Sequence, residues 1–292
     1  MPEAAAASSG RLAIIAGEGR LPHYVAQAAR DSGENPLILT LKNEAGGDWS
    51  GFDAATIGVG DMAGLARLIK RHGIGRVVMS GGVKRRPDFK DIHVNLKTIA
   101  KLPSTIRTLL SGGDDAVLKM VISLIEAQGC QVVGAQDIAP NLLANLGPVG
   151  RHAPDDAARR DIARAGEAAE LLGRLDVGQG AVSVGGRVVA LEGVEGTDAM
   201  LERVAALRQA GRISAKRRGV IVKLCKPQQD IRADLPSIGR STVENAARAG
   251  LAGIAVEAGR ALVIEREAVC ALADDLGLFV CGIDRSLAED GL

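Results

Sequence analysis

Acidic and basic side chains are concentrated in one short segment, residues 226–236 (KPQQDIRADLP), which directly follows an apolar, strand-like run. Two carboxylates stand four residues apart, Asp230 and Asp234, and the cations Lys226 and Arg232 accompany them. Loop carboxylates at this density can hold a divalent cation, which neutralises phosphoryl oxygens and orients or generates hydroxide. The two cations can then contact the same phosphate. A salt-bridged polar loop is the alternative interpretation.

A second acidic turn strengthens the metal hypothesis. Residues 195–198 (EGTD) lie after one predicted strand and before a predicted helix, so Asp198 can contribute a carboxylate to the same ion. The three candidate metal ligands are therefore Asp234, Asp230 and Asp198. No histidine or cysteine stands at a metal-ligand spacing, because the four histidines and four cysteines are widely scattered. The cysteines are expected to be reduced core residues.

Two glycine loops follow predicted strands and are candidates for phosphate contact. The segment 15–22 (IAGEGRLP) leads straight into a helix, where glycine backbone can approach a phosphate. It is not a dinucleotide fingerprint, because Pro22 occupies the third glycine position, and it lacks the Gly-Lys-Ser/Thr of a P-loop. The segment 81–88 (GGVKRRPD) brings Lys84 and two arginines beside two glycines. A structural tight turn and a solvated charge run are the respective alternatives.

The elements that must position these residues alternate between strand and helix. Short β-rich runs at 12–16, 37–41 and 77–80 alternate with helical stretches at 21–32 and 62–72, a pattern typical of a parallel sheet covered by helices. A helix over 114–128 and a strand over 130–133 extend it. The ligand site of such a sheet lies off the carboxyl ends of its strands.

The chain of 292 residues is long enough for two domains. Residues 146–154 (LGPVGRHAP) combine two prolines with two glycines, so we expect domains at 1–146 and 155–292, a linker at 147–154 and a flexible tail at 1–10. The second domain is predicted to be α/β or α+β. It begins with a long helix over 155–175 and contains a hairpin whose strands, 181–184 and 187–191, flank Gly185 and Gly186.

Composition excludes several classes of function. The net charge of +1 gives no global field for nucleic acid, and 2% aromatic residues are too few for single-strand stacking platforms. No apolar stretch approaches the roughly 20 residues that span a bilayer, and residues 1–10 do not resemble a signal peptide. The sequence thus predicts a cytoplasmic protein.

Several segments together resemble the UDP-2,3-diacylglucosamine pyrophosphatase family of lipid A biosynthesis, in its metal-dependent form from alphaproteobacteria and other Gram-negative bacteria. The resemblance spans essentially the whole chain after Gly10 and depends on 15–22, 86–88 (RPD), 113–115 (GDD), 173–181 (GRLDVGQGA), 195–201 (EGTDAML), 234–239 (DLPSIG) and 247–254 (ARAGLAGI). Glu18 departs from the pattern, since the family usually has a third consecutive glycine there. A side chain at that position puts close backbone contact in doubt.

The resemblance implies two α/β domains, the first with a Rossmann-like sheet, joined by a linker with the substrate in a cleft between them. It implies water attack on the α-phosphate of UDP-2,3-diacylglucosamine, giving UMP and 2,3-diacylglucosamine 1-phosphate. The implied cofactor is Mg²⁺, with Mn²⁺ as the alternative ion, and the essential aspartate matches Asp234. The expected substrate-binding residues are Gly17, Gly19, Leu21, Pro22, Lys84, Gln179, Gly180, Thr197, Lys226 and Arg232.

The expected partners are the diacylated nucleotide sugar and the inner-membrane surface, with peripheral attachment. A homodimer is left open, and nucleic acid is not expected. Two alternatives to this function stay open at this point: hydrolysis of a soluble nucleotide sugar, and non-catalytic binding or sensing of one. Acidic residues facing a diphosphate without a metal would repel it, which argues against the second alternative.

Overall fold

The computed structural model describes residues 10–44, 47–83 and 114–286. Lys84, the rest of its basic run and residues 1–9 of the expected tail lie outside the described residues. The chain divides into two compact units. The first comprises Met1–Pro140 together with Asp230–Asp234, and the second comprises Asn141–Gln229 together with Leu235–Leu292.

The division between units precedes the linker expected at 147–154. Main-chain hydrogen bonds explain this position. The Ala144 N–H donates to the Ala261 carbonyl at 2.8 Å, and the Val149 N–H donates to the Val280 carbonyl at 2.8 Å. Residues 144–149 are therefore held by the second unit.

The first unit contains a five-stranded parallel sheet in the order β3-β2-β1-β4-β5. The strands are β1 (Arg11–Ala16), β2 (Leu37–Leu41), β3 (Asp53–Ile57), β4 (Ile74–Ser80) and β5 (Gln131–Val133). The described helices are α1 (Leu21–Asp31), α2 (Met62–His72), α3 (Asp114–Glu126) and the short α4 (Ala135–Ile138). The predicted Rossmann-like parallel sheet is confirmed.

Local sequence accounts for these elements. Strands β1 and β2 are mainly apolar, and most of their side chains are buried, as expected for strands covered on both faces. Helix α2 begins where the Asp61 carboxylate accepts the Gly64 N–H at 2.7 Å and ends at Gly73, which has φ +63°. An acidic N-cap and a left-handed glycine are favourable helix boundaries.

The second unit contains a mixed five-stranded sheet in the order β13-β11-β9-β7-β8. Strands β9, β11 and β13 run parallel, whereas β7 is antiparallel to both β9 and β8. The sheet strands are β7 (Gly180–Val184), β8 (Arg187–Leu191), β9 (Gly219–Lys223), β11 (Gly253–Glu257) and β13 (Phe279–Ile283). Outside this sheet, β10 (Ser237–Ile238) pairs with β12 (Leu262–Val263), and β6 is the short strand Gly147–Pro148. Its helices are α5 (Asp156–Arg174), α6 (Gly196–Gln209), α7 (Arg240–Arg248) and α8 (Arg266–Asp275). A 3₁₀ turn spans Pro140–Leu142.

The predicted hairpin is confirmed as β7–β8, and its turn is anchored by a buried aspartate. Gly185 and Gly186 both have positive φ, and their N–H groups donate to the Asp161 carboxylate at 3.0 and 2.7 Å. The Ser183 hydroxyl donates to the same carboxylate at 2.7 Å. Because Asp161 lies in α5, the helix and the hairpin are fixed to each other.

All four cysteines are free thiols. The predicted core position is confirmed for Cys130, Cys225 and Cys281, which are buried, whereas Cys270 is half-buried. Among the described residues, no helix is long and apolar enough to cross a membrane.

Candidate active site

The first glycine loop packs backbone to backbone against the loop after β4. The Glu18 N–H donates to the Gly82 carbonyl at 2.7 Å, and the Gly82 N–H donates back at 3.0 Å. A Cβ on Gly17 would lie 2.3 Å from the Gly82 carbonyl oxygen, so this crossing requires glycine. Glu18, which stands where the family usually has a third glycine, thus has its backbone N–H and carbonyl bonded to Gly82.

The remaining residues expected in this loop begin helix α1. Gly19 has φ +94°, and beyond its chain neighbours no atom of the described residues lies within 4 Å of its Cβ position. Leu21 is half-buried at the first helical position, and Pro22, the next residue, is buried. The open space at Gly19 leaves room for a ligand atom beside the helix N-terminus.

The segment Asp230–Asp234 forms a compact turn in the first unit. The N–H groups of Ala233 and Asp234 donate to the Asp230 carbonyl at 2.9 and 3.3 Å. The Gln136 side chain donates to the Ile231 carbonyl at 3.2 Å, and Ala233 packs against the core beneath the sheet. The exposed Asp234 is therefore carried on a backbone that is held on both sides.

The other aspartate of this turn is engaged by its own neighbour. The Arg232 guanidinium donates from Nε and Nη2 to the two oxygens of Asp230 at 2.9 and 2.7 Å, and from Nη1 to Glu126 at 2.9 Å. These hydrogen bonds from the Arg232 side chain lower the pKa of Asp230. Arg232, expected to contact phosphate, is thus paired with two carboxylates.

In the second unit, charged side chains gather at the carboxyl ends of β8 and β9, the two strands that flank β7. Lys223 is only 5% exposed, and its ammonium donates to Thr197 Oγ1 at 2.8 Å and to the Ser237 carbonyl at 3.1 Å. The Thr197 hydroxyl donates in turn to Glu192 Oε1 at 2.6 Å. Thr197 therefore bridges a buried cation and a buried anion in the first turn of α6.

Two polar atoms near the hydrogen bonds that join Lys223, Thr197 and Glu192 have no hydrogen-bond partner among the described residues. They are Glu192 Oε2 and Gln179 Oε1, both buried. Gly180 follows Gln179 in the chain, and a Cβ on it would lie 2.5 Å from Glu192 Oε2. The structure thus brings together Gln179, Gly180 and Thr197, three of the predicted substrate-binding residues, beside acceptors that lack a donor.

The other two predicted residues of the second unit are paired with side chains. Asp198 is exposed and accepts a hydrogen bond from Asn245 Nδ2 at 2.8 Å. Lys226 donates to Asp176 Oδ1 at 2.6 Å.

A second buried charge cluster lies at the ends of β9, β11 and β13. Glu257 Oε2 accepts the Cys225 N–H at 2.9 Å, and Arg285 Nη1 lies 3.5 Å from Glu257 Oε1. Arg285 also donates to Glu170 at 2.7 Å and to the Cys225 carbonyl at 2.7 Å. Burial raises the pKa of Glu257, although the positive charge of Arg285 opposes the shift.

The predicted metal ligands are not assembled into one donor set within either unit. Asp230 and Asp234 belong to the first unit and Asp198 to the second, and both oxygens of Asp230 are bound by Arg232. In the part of the chain that the structure describes, no group of three or more His, Cys, Asp or Glu side chains could hold a metal ion. The described residues alone therefore do not make a metal site.

Lys223 and Glu192 are polar site residues that sequence reasoning missed. The available signal was position: Lys223 ends the buried run of β9, and Glu192 directly follows β8. A charged residue at the carboxyl end of a buried strand lies where α/β sheets bind ligands.

Comparison with known proteins covers almost the entire chain. The family model described as the LpxI N-terminal domain matches residues 11–142, and that described as the LpxI C-terminal domain matches residues 145–281. A curated relative, "UDP-2,3-diacylglucosamine pyrophosphatase LpxI" of Caulobacter vibrioides, is 42% identical over 275 residues, covering 94% of this chain and 98% of the relative.

Among solved structures, a GalE-like L-threonine dehydrogenase from Cupriavidus necator (holo form) aligns over 97% of this chain and 98% of its own, with 14% identity and a TM-score of 0.26. A likeness this weak carries no argument about fold or activity. The two family models and the curated relative, which between them cover both units, lead to one conclusion: the chain belongs to the LpxI family.

Proposed function

We propose that this protein hydrolyses the pyrophosphate bond of UDP-2,3-diacylglucosamine to UMP and 2,3-diacylglucosamine 1-phosphate, as a step of lipid A biosynthesis. The observation that carries the proposal is the 42% identity to a curated pyrophosphatase over 98% of that relative's length. Because the identity extends over both domains, it does not reflect a single domain shared between otherwise different proteins.

In the proposed reaction, water attacks the α-phosphorus of the nucleotide. The new P–O bond forms on UMP, the bond to the bridging oxygen breaks, and the sugar 1-phosphate leaves with that oxygen. The water must lose a proton during this step, and the leaving phosphate is already a stable anion. A group that orients the water and accepts its proton is therefore the main requirement on the protein.

We infer that Asp234 meets this requirement, either directly or by holding a divalent ion. Asp234 is exposed, whereas its backbone is anchored by the Asp230 carbonyl and flanked by half-buried Ala233 and buried Leu235. A solvent-accessible group on a fixed backbone suits catalysis, because the reacting water must reach it in one geometry.

Gln179, Gly180 and Thr197 are the proposed contacts for the substrate in the second unit. The uncompensated oxygens of Gln179 and Glu192 are acceptors, so they suit the hydroxyl and N–H groups of a sugar rather than its phosphates. Lys223 and Glu192 would act as positioning residues, since their bonds to Thr197 hold the start of α6.

Mg²⁺ dependence stays a prediction of the family resemblance, and the homodimer stays open. Bound Mg²⁺ would supply neutralisation of the phosphoryl oxygens. Chelation tests the first expectation, and sedimentation equilibrium tests the second.

We further propose that the protein attaches peripherally to a membrane surface, where a diacylated substrate resides. Leu171, Leu175, Val177 and Val194 are each more than half exposed. They lie on neighbouring segments, because Gly178 is packed against the Glu192 carbonyl. Flotation with phospholipid vesicles tests this: the Leu175→Ser/Val194→Ser variant should float less than wild type, whereas Leu276→Ser should float like wild type.

The function itself is tested by incubating the protein with UDP-2,3-diacylglucosamine and Mg²⁺ in ¹⁸O-water, with and without chelator. We expect the label in UMP and no turnover with chelator. Label in the sugar phosphate would place the attack on the other phosphorus, and folded protein that binds the substrate without cleaving it would overturn the proposal. UDP-glucosamine without acyl chains should be a much poorer substrate.

A further inference from the structure

A cavity of about 200 Å³ opens in the first unit at the carboxyl edge of its parallel sheet. It is bordered by Leu41 at the end of β2 and by residues that follow β1, β3 and β4, namely Gly17, Gly58 and Gly81. In the order β3-β2-β1-β4-β5, the direction of strand addition reverses between β1 and β4. Open α/β sheets bind ligands at such a switch point, and nucleotides are among the ligands found there.

The walls of this cavity are apolar. The lining includes half-buried Ile15 of β1, Val59 after β3, Met79 of β4 and Val121 of α3. Ala233 of the Asp230–Asp234 turn completes this set. Apolar walls on several sides suit a ligand with two apolar faces.

One polar atom in this lining lacks a hydrogen-bond partner among the described residues. Ser80 ends β4 and is 5% exposed, yet its hydroxyl has no hydrogen-bond partner among the described residues. A buried hydroxyl without a partner is costly, so its presence in an apolar cavity points to a ligand that supplies the missing hydrogen bond.

The single charged side chain among the described lining residues is Asp61. Its carboxylate accepts the Gly64 N–H at 2.7 Å and has a negative charge that a phosphate would not tolerate nearby. Gly17, by contrast, belongs both to the cavity lining and to the glycine loop at the start of α1. The phosphates of a nucleotide would thus lie toward the loop, and its base within the cavity.

We infer that this cavity binds the uracil ring of the substrate and of the UMP product, an inference that depends on the proposed function. A planar base would present apolar faces to lining side chains such as Val59 and Val121, and a polar edge to Ser80. A saturated acyl chain, the other apolar part of the proposed substrate, would fill the cavity but leave the Ser80 hydroxyl unpaired. The cavity volume also suits a single ring better than two long chains.

The experiment is calorimetric titration of the full-length protein with 5′-UMP, which needs no turnover. Val121→Trp fills the cavity and should weaken UMP binding roughly tenfold or more, because the ring volume is then occupied. Ser80→Ala removes one hydrogen bond and should weaken it about fivefold. Leu276→Trp is the control, since Leu276 is an exposed leucine of the second unit, and it should bind UMP like wild type.

The Ser80→Ala variant keeps the experiment decisive if Val121→Trp does not fold, which thermal melts will show. Unchanged UMP affinity in a folded Val121→Trp or Ser80→Ala protein would overturn the inference. If Val121→Trp raises only the KM for the diacylated substrate and leaves UMP binding unchanged, the cavity holds an acyl chain instead. UMP binding that depends on Val121 and Ser80 in a protein without hydrolytic activity would support the cavity assignment while refuting the proposed function.

Discussion

Asp230 and Asp234 stand four residues apart in one turn, but their surroundings assign them different tasks. Asp230 accepts three hydrogen bonds from Arg232, including one from its backbone N–H. Asp234 is exposed at the end of the same turn. A carboxylate held in a bidentate arginine pair stabilises structure. An exposed carboxylate can be reached by a reacting water.

We therefore predict that Asp234→Asn lowers kcat at least roughly 100-fold while leaving the melting temperature unchanged. Asp230→Asn is the matched control. It should lower the free energy of unfolding by about 1 kcal/mol, because it weakens a partly buried ion pair, and should retain more activity. Steady-state kinetics and thermal melts on both variants check this. Equal activity losses in the two variants would contradict the division of tasks.

Glu257 makes stability depend on pH with a known sign. Its folded pKa is raised above the unfolded value of 4.5, so the folded state holds the proton more tightly. Its contribution to stability is fully present below pH 4.5 and is lost as the pH rises through the folded pKa. The advantage of wild type over Glu257→Gln should thus shrink from pH 4.5 to 7.5 in urea unfolding. An advantage that grows over this range would refute the assignment.

At the residue scale, sequence could predict the types of side chain but not their partners. The Asp230–Asp234 turn is visible as a charge-dense segment, yet Glu126, which engages Arg232, is 106 residues away in the chain. Lys223 looks like the end of an ordinary strand until the sheet places it beside Thr197. Pairing across such distances depends on tertiary packing, which local patterns do not encode.

At the scale of elements, helix α5 is tied to the β7–β8 hairpin because the Asp161 carboxylate of the helix accepts three hydrogen bonds from the hairpin. Asp161 is 2% exposed, so water cannot replace it. Removing the acceptor would leave a buried serine hydroxyl and two turn N–H groups without their partner.

Asp161→Ala should therefore lower the free energy of unfolding by about 2–4 kcal/mol. Asp155→Ala, at the N-cap of the same helix, removes only the bond from the Ala158 N–H and should cost about 1 kcal/mol. Denaturant unfolding of the two variants gives both values. A smaller loss for Asp161→Ala than for Asp155→Ala would show that the hairpin does not depend on this anchor.

Most elements were predictable because their hydrophobic patterns are strong. The predicted strands at 37–41 and 187–191 and the helix at 62–72 match the structure at both ends. Strand β3 and helix α8 were not predicted. β3 reads Asp-Ala-Ala-Thr-Ile and lies at the sheet edge with three exposed residues, so it lacks the apolar run of its neighbours.

At the scale of the whole molecule, the chain enters the second unit at Asn141 but supplies Asp230–Asp234 to the first. The first unit is therefore discontinuous in sequence. Its contributions from this segment include the Arg232–Glu126 ion pair and the packing of Ala233 against the core.

We predict that residues 1–140 expressed alone fold less stably than the same unit within the full chain. Loss of the ion pair and of the Ala233 contact removes on the order of 1–2 kcal/mol, which lowers the melting temperature by roughly 5 °C. Differential scanning calorimetry of the fragment and of the full chain compares the two. A fragment that melts at the temperature of the intact protein would show that the inserted turn is dispensable.

This discontinuity constrains how the family can evolve. Glu126 lies within the N-terminal family domain and Arg232 within the C-terminal one, yet they form one ion pair. Recombination could join the N-terminal domain of one relative to the C-terminal domain of another. The Asp230–Asp234 turn would then meet a first unit with which it had not evolved. Natural descent should thus keep the two halves together, and substitutions at 126 and 232 should be inherited as a pair.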